Sequence, residues 1–286
     1  MKPLIWFIFL TTILTLPLNS YSSTSDLSEE EKKYIKKNNP FTLLAVDEFR
    51  PFSFRENGEL KGFTVDLLKL ISSKTGLRID VKTGKWHENL EAFENGKYDL
   101  ISGITPTEER KKYTFFSPYY YRLPILIYAT NDFTKYSGIS DLENKTAGIE
   151  KDIFYKKDLK RIKNLKIKEY PDPKELMKSL AYKKIDVAFA TLYSGNYYTK
   201  KYGLGNIKIL GEYSSDKVES EDLSIGVSKK NPILFSIIEK EFMKITDEEF
   251  ESLRDKWTGL YKDKPEQRVL LSTSEKEFLL KHPVIY

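Results

Sequence analysis

The residues best suited to chemistry lie in residues 99–121, DLISGITPTEERKKYTFFSPYYY. Residues 99–102 read as a short apolar strand and residues 103–107 as a tight loop, where Gly103 lets the main chain approach a ligand closely. Thr107 followed by Glu108 and Glu109 has the pattern of a helix N-cap with acids in the first turn. The loop's free N–H groups would then face outward at a strand end. Arg110 follows Thr105 by five residues. A guanidinium beside free main-chain donors is a receptor for a carboxylate, gripped in bidentate fashion. The alternative is a surface arginine paired with Glu108 or another nearby acid. No nucleophile and base are legible together, so the stretch reads as a binding site without a catalytic residue.

The composition fits such a role. A chain of 286 residues, 40% hydrophobic and 31% charged, can bury a sizeable core, and its length suits one two-lobed domain or two small ones. Lys and Arg outnumber Asp and Glu by 47 to 42 in mixed-sign runs. Such runs are solvated helix faces rather than a nucleic-acid surface. The absence of cysteine excludes disulfides, thiolate metal sites and a lipidated cysteine anchor. His87 and His282 are far apart and set in no ligand spacing, so neither a metal nor a cofactor is expected.

Residues 1–22 carry Lys2, an apolar run over residues 4–16, Pro17 and a small polar cluster, the plan of a secretory signal peptide. The run is short for a membrane span, with an uncleaved anchor as the alternative. A soluble, extracytoplasmic mature protein is expected, in the periplasm or outside the cell.

Around the 99–121 stretch, the chain alternates strands and helices. Within residues 23–40, LSEEEKKYIKK reads as a charged amphipathic helix. FTLLAV (residues 41–46) reads as a buried parallel strand. It ends in DEFRPF, which puts aromatic side chains at a strand's carboxyl end, where open α/β sheets bind ligands. Phe49 and Phe52 both lie in this loop, and for either alone core packing is the default. Asn57-Gly58 marks a hairpin. Helical spacing runs over residues 65–74, a strand over 77–81, and Lys85-Trp86-His87 opens a helix ending at Asn95-Gly96. Residues 122–128 read as a strand crossing to a second lobe. There the strand 146–150 delivers Lys151-Asp152-Ile153, a helix spans 173–184, and a strand over 185–190 ends in Thr191. Residues 223–227 read as the returning strand, followed by helices over 233–245 and 248–257.

The ordered set GFTVDL (62–67), GKYDLI (96–101), Thr105 to Arg110, FFSPY (115–119) and KWTG (256–259) resembles the bacterial extracellular solute-binding proteins of family 3, over roughly residues 38–261. The resemblance implies an α/β, two-lobed periplasmic-binding-protein fold, the Venus flytrap. Each lobe would hold a central mixed sheet flanked by helices, and two hinge strands would join them. Lobe 1 would be residues 41–128 and 226–262, and lobe 2 residues 129–225. It also implies that Arg110 and Thr105 hold a ligand carboxylate, with Gly103 beside them on the strand side. Phe49 and Trp86 would cover the two faces of the ligand. A Gly-Thr pair that offers main-chain donors in family members is Asp152-Ile153 here, so only the backbone part of that role passes to Ile153. Asp152 itself sits awkwardly where an anion is expected, unless it caps a helix or meets a cation. Amino-acid binders place an aspartate where this chain has Thr191, which cannot neutralise a buried ammonium. A carboxylate-bearing solute is therefore expected more than a standard α-amino acid.

In the tail, LSTSEKEFLLK (271–281) repeats LSEEEKKYIKK (27–37) in register, and residues 263–286 read as a linker and the start of a second, truncated repeat. Tandem flytrap domains occur in sensor histidine kinases. The function expected is an extracytoplasmic domain that closes on a small-molecule ligand and reports it to a sensor kinase in the inner membrane, monomeric as this fragment. The alternative is the binding protein of an ABC amino-acid transporter, partnered by its permease. An enzyme on the same fold, a dehydratase or a fused lytic enzyme, ranks third.

Overall fold

A run such as ILIYAT, apolar throughout, makes a stable strand only where both faces of its sheet are covered. That requirement shapes residues 26–258, which the computed structural model describes. The chain begins with α1 (Glu29–Asn38), β1 (Phe41–Val46), the hairpin β2 (Phe54–Glu56) and β3 (Glu59–Lys61), then α2 (Phe63–Thr75). Next come β4 (Ile79–Gly84), α3 (Trp86–Glu94), β5 (Leu100–Ile104), β6 (Thr114–Phe116) and β7 (Tyr121–Leu123). Beyond Pro124 follow β8 (Ile125–Thr130), β9 (Thr146–Glu150), α4 (Lys156–Leu159), β10 (Lys166–Tyr170), α5 (Pro173–Ala181), β11 (Val187–Thr191), α6 (Leu192–Lys201) and β12 (Ile207–Tyr213). The chain then returns through β13 (Glu221–Ser228) to α7 (Pro232–Phe242) and α8 (Asp247–Thr258).

Two mixed sheets result. The first runs β4-β1-β5-β13-β6, with β7 also paired to β13, and the second runs β10-β9-β11-β8-β12. In each, three neighbouring strands are parallel and the next is antiparallel to them. That antiparallel strand is the one arriving from the other lobe, β13 in the first sheet and β8 in the second.

Both sheets are covered on both faces. In β8, Ile125, Ile127 and Ala129 enter one core with Ile149, Val187 and Phe189, while Leu126 and Tyr128 enter another with Leu176, Met177 and Leu180. This period of two on a doubly buried strand produces the unbroken apolar run. In the first lobe, Leu43, Leu67, Leu100, Ile225 and Ile237 form the larger core, and Leu44, Phe93, Ile101 and Ile104 pack on the opposite face.

Local signals account for the element ends. Ser28 and Glu31 form a capping box at α1, Ser28 N donating to Glu31 Oε2 at 2.8 Å and Glu31 N to Ser28 Oγ at 3.2 Å. Asn57 and Gly58, both left-handed, make the β2–β3 turn. Gly62 stands at φ +132°, where an added Cβ would lie 2.2 Å from the Phe52 carbonyl oxygen, so the backbone passes there only without a side chain. Asp66 accepts from Lys256 Nζ at 2.6 Å and Trp257 Nε1 at 2.9 Å, fastening α8 to α2.

Some boundaries differ from those read in the sequence. Residues 125–130 belong entirely to the second sheet, so the outward crossing falls at Pro124 rather than beyond residue 128. The expected helix capped by Thr107 is absent: Thr107 Oγ1 accepts from Arg110 N at 3.1 Å in a turn that leads into a single 3-10 turn, Arg110–Lys112, whose cap position is Glu109. Residues 1–22 and the repeated tail segment lie outside the described residues. Among the described residues no helix is long and apolar enough to cross a membrane.

Candidate ligand-binding site

The carboxyl ends of the parallel strands in the two sheets face one another, and a cavity of about 230 Å³ lies between them. The chain past β1 contributes Asp47, Glu48 and Phe49, the β4–α3 junction Lys85 and Trp86, and β5 Gly103. From the second lobe come Glu150 at the end of β9, then Ile153 and Tyr155. Asp172 comes from beyond β10, Thr191 from the end of β11, and Ser194 and Tyr198 from α6. Glu221, the first residue of β13, completes the wall at the hinge.

The lobes are closed on each other by direct bonds. Glu48 takes Lys201 Nζ at 2.9 Å and the Tyr197 hydroxyl at 2.8 Å, and its carbonyl accepts from Tyr198 at 3.3 Å. Lys85 pairs with Asp172 at 3.2 Å, Glu109 with Lys157 at 2.8 Å, and the hydroxyls of Tyr121 and Tyr193 meet at 2.9 Å. Glu48 is held below the ordinary carboxylate range: burial opposes ionisation, but the bonds from Lys201 and Tyr197 outweigh it.

Five of the seven residues singled out in the sequence line this one cavity: Phe49, Trp86, Gly103, Ile153 and Thr191. Phe49 lies over Gly103, its Cε1 3.7 Å from where a Cβ would be. The Thr191 hydroxyl caps α6, accepting from Ser194 N at 3.4 Å. The Ile153 N–H, expected to point at a ligand, is directed at the Glu150 carbonyl at 3.4 Å.

Arg110 and Thr105 stand apart from the cavity wall. Arg110 is buried, and its fork is spent on main-chain carbonyls, Nη1 donating to Thr105 O at 2.9 Å and Nη2 to Asp152 O at 3.1 Å. Its guanidinium carbon lies 5.0 Å from the centroid of the Trp86 ring, whose Nε1 donates to the same Asp152 carbonyl at 3.3 Å. Thr105 lines an open groove with Phe154 and Arg161 instead. The reason is local backbone geometry: Asp152 is left-handed, at φ 61°, and its carbonyl, not its carboxylate, meets the cation. A buried guanidinium needs acceptors, and two carbonyls supply them.

The residues not anticipated are acids. Burial, then Glu221 and Asp172, push Glu150 well above the ordinary carboxyl range. Burial pushes Glu221 up to about 7, with Arg110 opposing and Asp222 adding. The available signal was position, since Glu150 ends an apolar strand at the carboxyl edge where α/β sheets collect ligands. Among the described residues no group of three His, Cys, Asp or Glu is placed to hold a metal ion.

Residues 42–260 match the bacterial extracellular solute-binding proteins, family 3. The chain belongs to that family. This family 3 chain is 30% identical, over 51% of its length, to the arginine-binding extracellular protein ArtP of Bacillus subtilis, and the match covers 55% of ArtP. It is 22% identical, over 81% of its length, to the virulence sensor protein BvgS of Bordetella pertussis, covering 19% of that protein. The chain thus spans about half of the first relative and a fifth of the second. Among solved structures, the BvgS VFT2 domain superposes with a TM-score of 0.69 at 20% identity, over 80% of this chain and 98% of that one. An ancestral arginine-binding protein bound to arginine superposes at 0.67 and 28% identity, over 77% and 98%. The family 3 fold is therefore the two-lobed Venus flytrap, with a mixed sheet in each lobe.

Proposed function

We propose that this chain is an extracytoplasmic, non-catalytic and monomeric domain that closes its lobes over one small solute and reports closure to a signalling partner in the membrane. The observation that carries this reading is the cavity between the lobes, walled from both sheets at the strand ends and bridged by direct bonds around it. Its volume falls below the roughly 300–1,000 Å³ of sites for drug-sized ligands, which fits a small metabolite. A solute that bonds to both walls stabilises the closed form, and its energy moves the hinge.

Signalling is supported by the reach of the match to the sensor protein BvgS, 81% of this chain against 51% for ArtP. A second reading, the binding protein of an ABC transporter, rests on the higher identity to ArtP, 30%. The carboxylate-bearing solute implied by Arg110 would have to displace the Asp152 carbonyl from the guanidinium.

A thermal-shift screen of small solutes tests the core of the reading. A ligand at about a hundred times its Kd adds roughly 2.7 kcal/mol of stability. Filling the cavity with Ala190→Leu should remove that response, and a response that survives refutes the interlobe site. Co-expression with a candidate sensor kinase or with a candidate ABC permease separates the roles: solute-dependent kinase phosphorylation supports sensing, and solute uptake through the permease supports transport.

A further inference from the structure

Two carboxyl groups in the interlobe cavity have no direct partner among the described residues, although the Arg110 charge acts on one of them, Glu221. Glu150 comes from the second lobe and Glu221 from the returning hinge strand, and both line the cavity. Among the described residues neither carboxyl accepts a hydrogen bond or stands within ion-pair distance of a cation. The other acids there are provided for. Glu48 holds Lys201 and Tyr197, Asp172 holds Lys85 and caps α5 through Glu175 N at 2.9 Å, and Asp47 is exposed to solvent.

The positive groups nearby each have an acceptor: Lys85 pairs with Asp172 at 3.2 Å and Lys174, also in the wall, with Glu175 at 3.6 Å. Arg110 spends both ends of its fork on carbonyls, and the first turns of α5 and α6 are capped by Asp172 and Thr191. An anion entering the cavity would have to compete for cations that already have acceptors, with two unpaired acids in the wall. A cation would find the reverse, with the faces or edges of Trp86, Phe49 and Tyr155 beside the acids. Two carboxyls are too few for a hard metal ion, which takes six to eight oxygens as calcium or an octahedral set as magnesium.

We propose that this cavity selects a small organic cation, an amine or guanidine that needs no carboxylate of its own, seated between Glu150 and Glu221. The inference rests on the interlobe reading above and adds the ligand's charge to it. Burial pushes both acids above the ordinary carboxyl range, and a cation would supply the counter-charge that keeps a buried carboxylate ionised.

The test is calorimetric titration of the protein with agmatine and 1,4-diaminobutane, set against glutarate and glutamine. At least one of the two cations should bind at least tenfold more tightly than glutarate and glutamine. Glu150→Gln and Glu221→Gln, each checked for native circular dichroism, should each weaken it at least tenfold. Binding of glutarate or glutamine in preference to both cations overturns the proposal, as does no cation binding at all, or cation binding unchanged in both variants. Those results leave the interlobe reading standing. That reading falls separately, if a solute that does bind keeps its affinity in Ala190→Leu.

Discussion

The main-chain carbonyl of Asp152 accepts from the Arg110 guanidinium at 3.1 Å, joining residues from opposite lobes. Arg110→Ala strands the Thr105 carbonyl and leaves that of Asp152 with Trp86 Nε1 as its one remaining donor. With hydrogen bonds to charged groups contributing about 1.5–3 kcal/mol each, a loss on the order of 3 kcal/mol is expected. Urea unfolding would measure it, and small-angle scattering should record a larger radius of gyration without ligand. Asp152→Gly keeps both the carbonyl and the left-handed backbone, so it should stay as compact as the parent. Equal radii for Arg110→Ala and the parent would remove Arg110 from the closing machinery.

Glu48 makes the second cross-lobe contact, and its carboxyl is depressed below 4.5 once the bonds from Lys201 and Tyr197 overcome burial. A depressed acid contributes stability that is present above its unfolded value and lost as pH falls through the folded one. Closure should therefore weaken below about pH 4.5, and Glu48→Gln should be as open at pH 6 as the parent is in acid. Scattering at the two pH values checks this. Because the pair is partly exposed, the effect should be modest, about 1 kcal/mol.

Glu221 titrates in the opposite sense. Its carboxyl sits at about 7 rather than 4.5, facing Glu150, Tyr155, Asp222 and Arg110. Between those values the folded protein keeps a proton that the unfolded chain releases, so stability falls as pH rises through the window and levels off above it. Glu221→Gln should match the parent near pH 4 and exceed it at pH 8 in urea midpoints. A variant with no gain at pH 8 would show the carboxyl to be ordinary.

Gly62→Ala should destabilise by on the order of 3 kcal/mol, since a Cβ would meet the Phe52 carbonyl at 2.2 Å and the backbone conformation is foreign to L-residues. The drop in thermal midpoint should appear with and without ligand alike, marking a folding role for this part of the motif.

Much of the fold was legible because it depends on local chemistry. The apolar runs, the Ser28-to-Glu31 box, the Asn57-Gly58 turn and the strand ends all show in neighbouring residues. The family resemblance singled out Phe49, Trp86 and Thr191, and their positions near strand ends bring all three to the wall of one cavity. The partner of Arg110 was hidden because it is a carbonyl, a group every residue carries, turned inward by a left-handed Asp152. Glu150 and Glu221 are 71 positions apart, and only the pairing of β9 and β13 into separate sheets around one hollow gives them a common significance. The Asp in GFTVDL and the Asp in GKYDLI proved to be structural: Asp66 secures α8, and Asp99 accepts from Thr42 and Asn231.

Helices α1 and α8 both pack on the first lobe, α1 through Glu31 to Lys240 on α7 at 2.7 Å and α8 through its bonds to Asp66. Both ends of the described residues therefore belong to one half of the clamshell. On the sensing reading proposed above, the other half, joined to it through the chain at Pro124 and Glu221, is the arm whose swing a bound guest would drive.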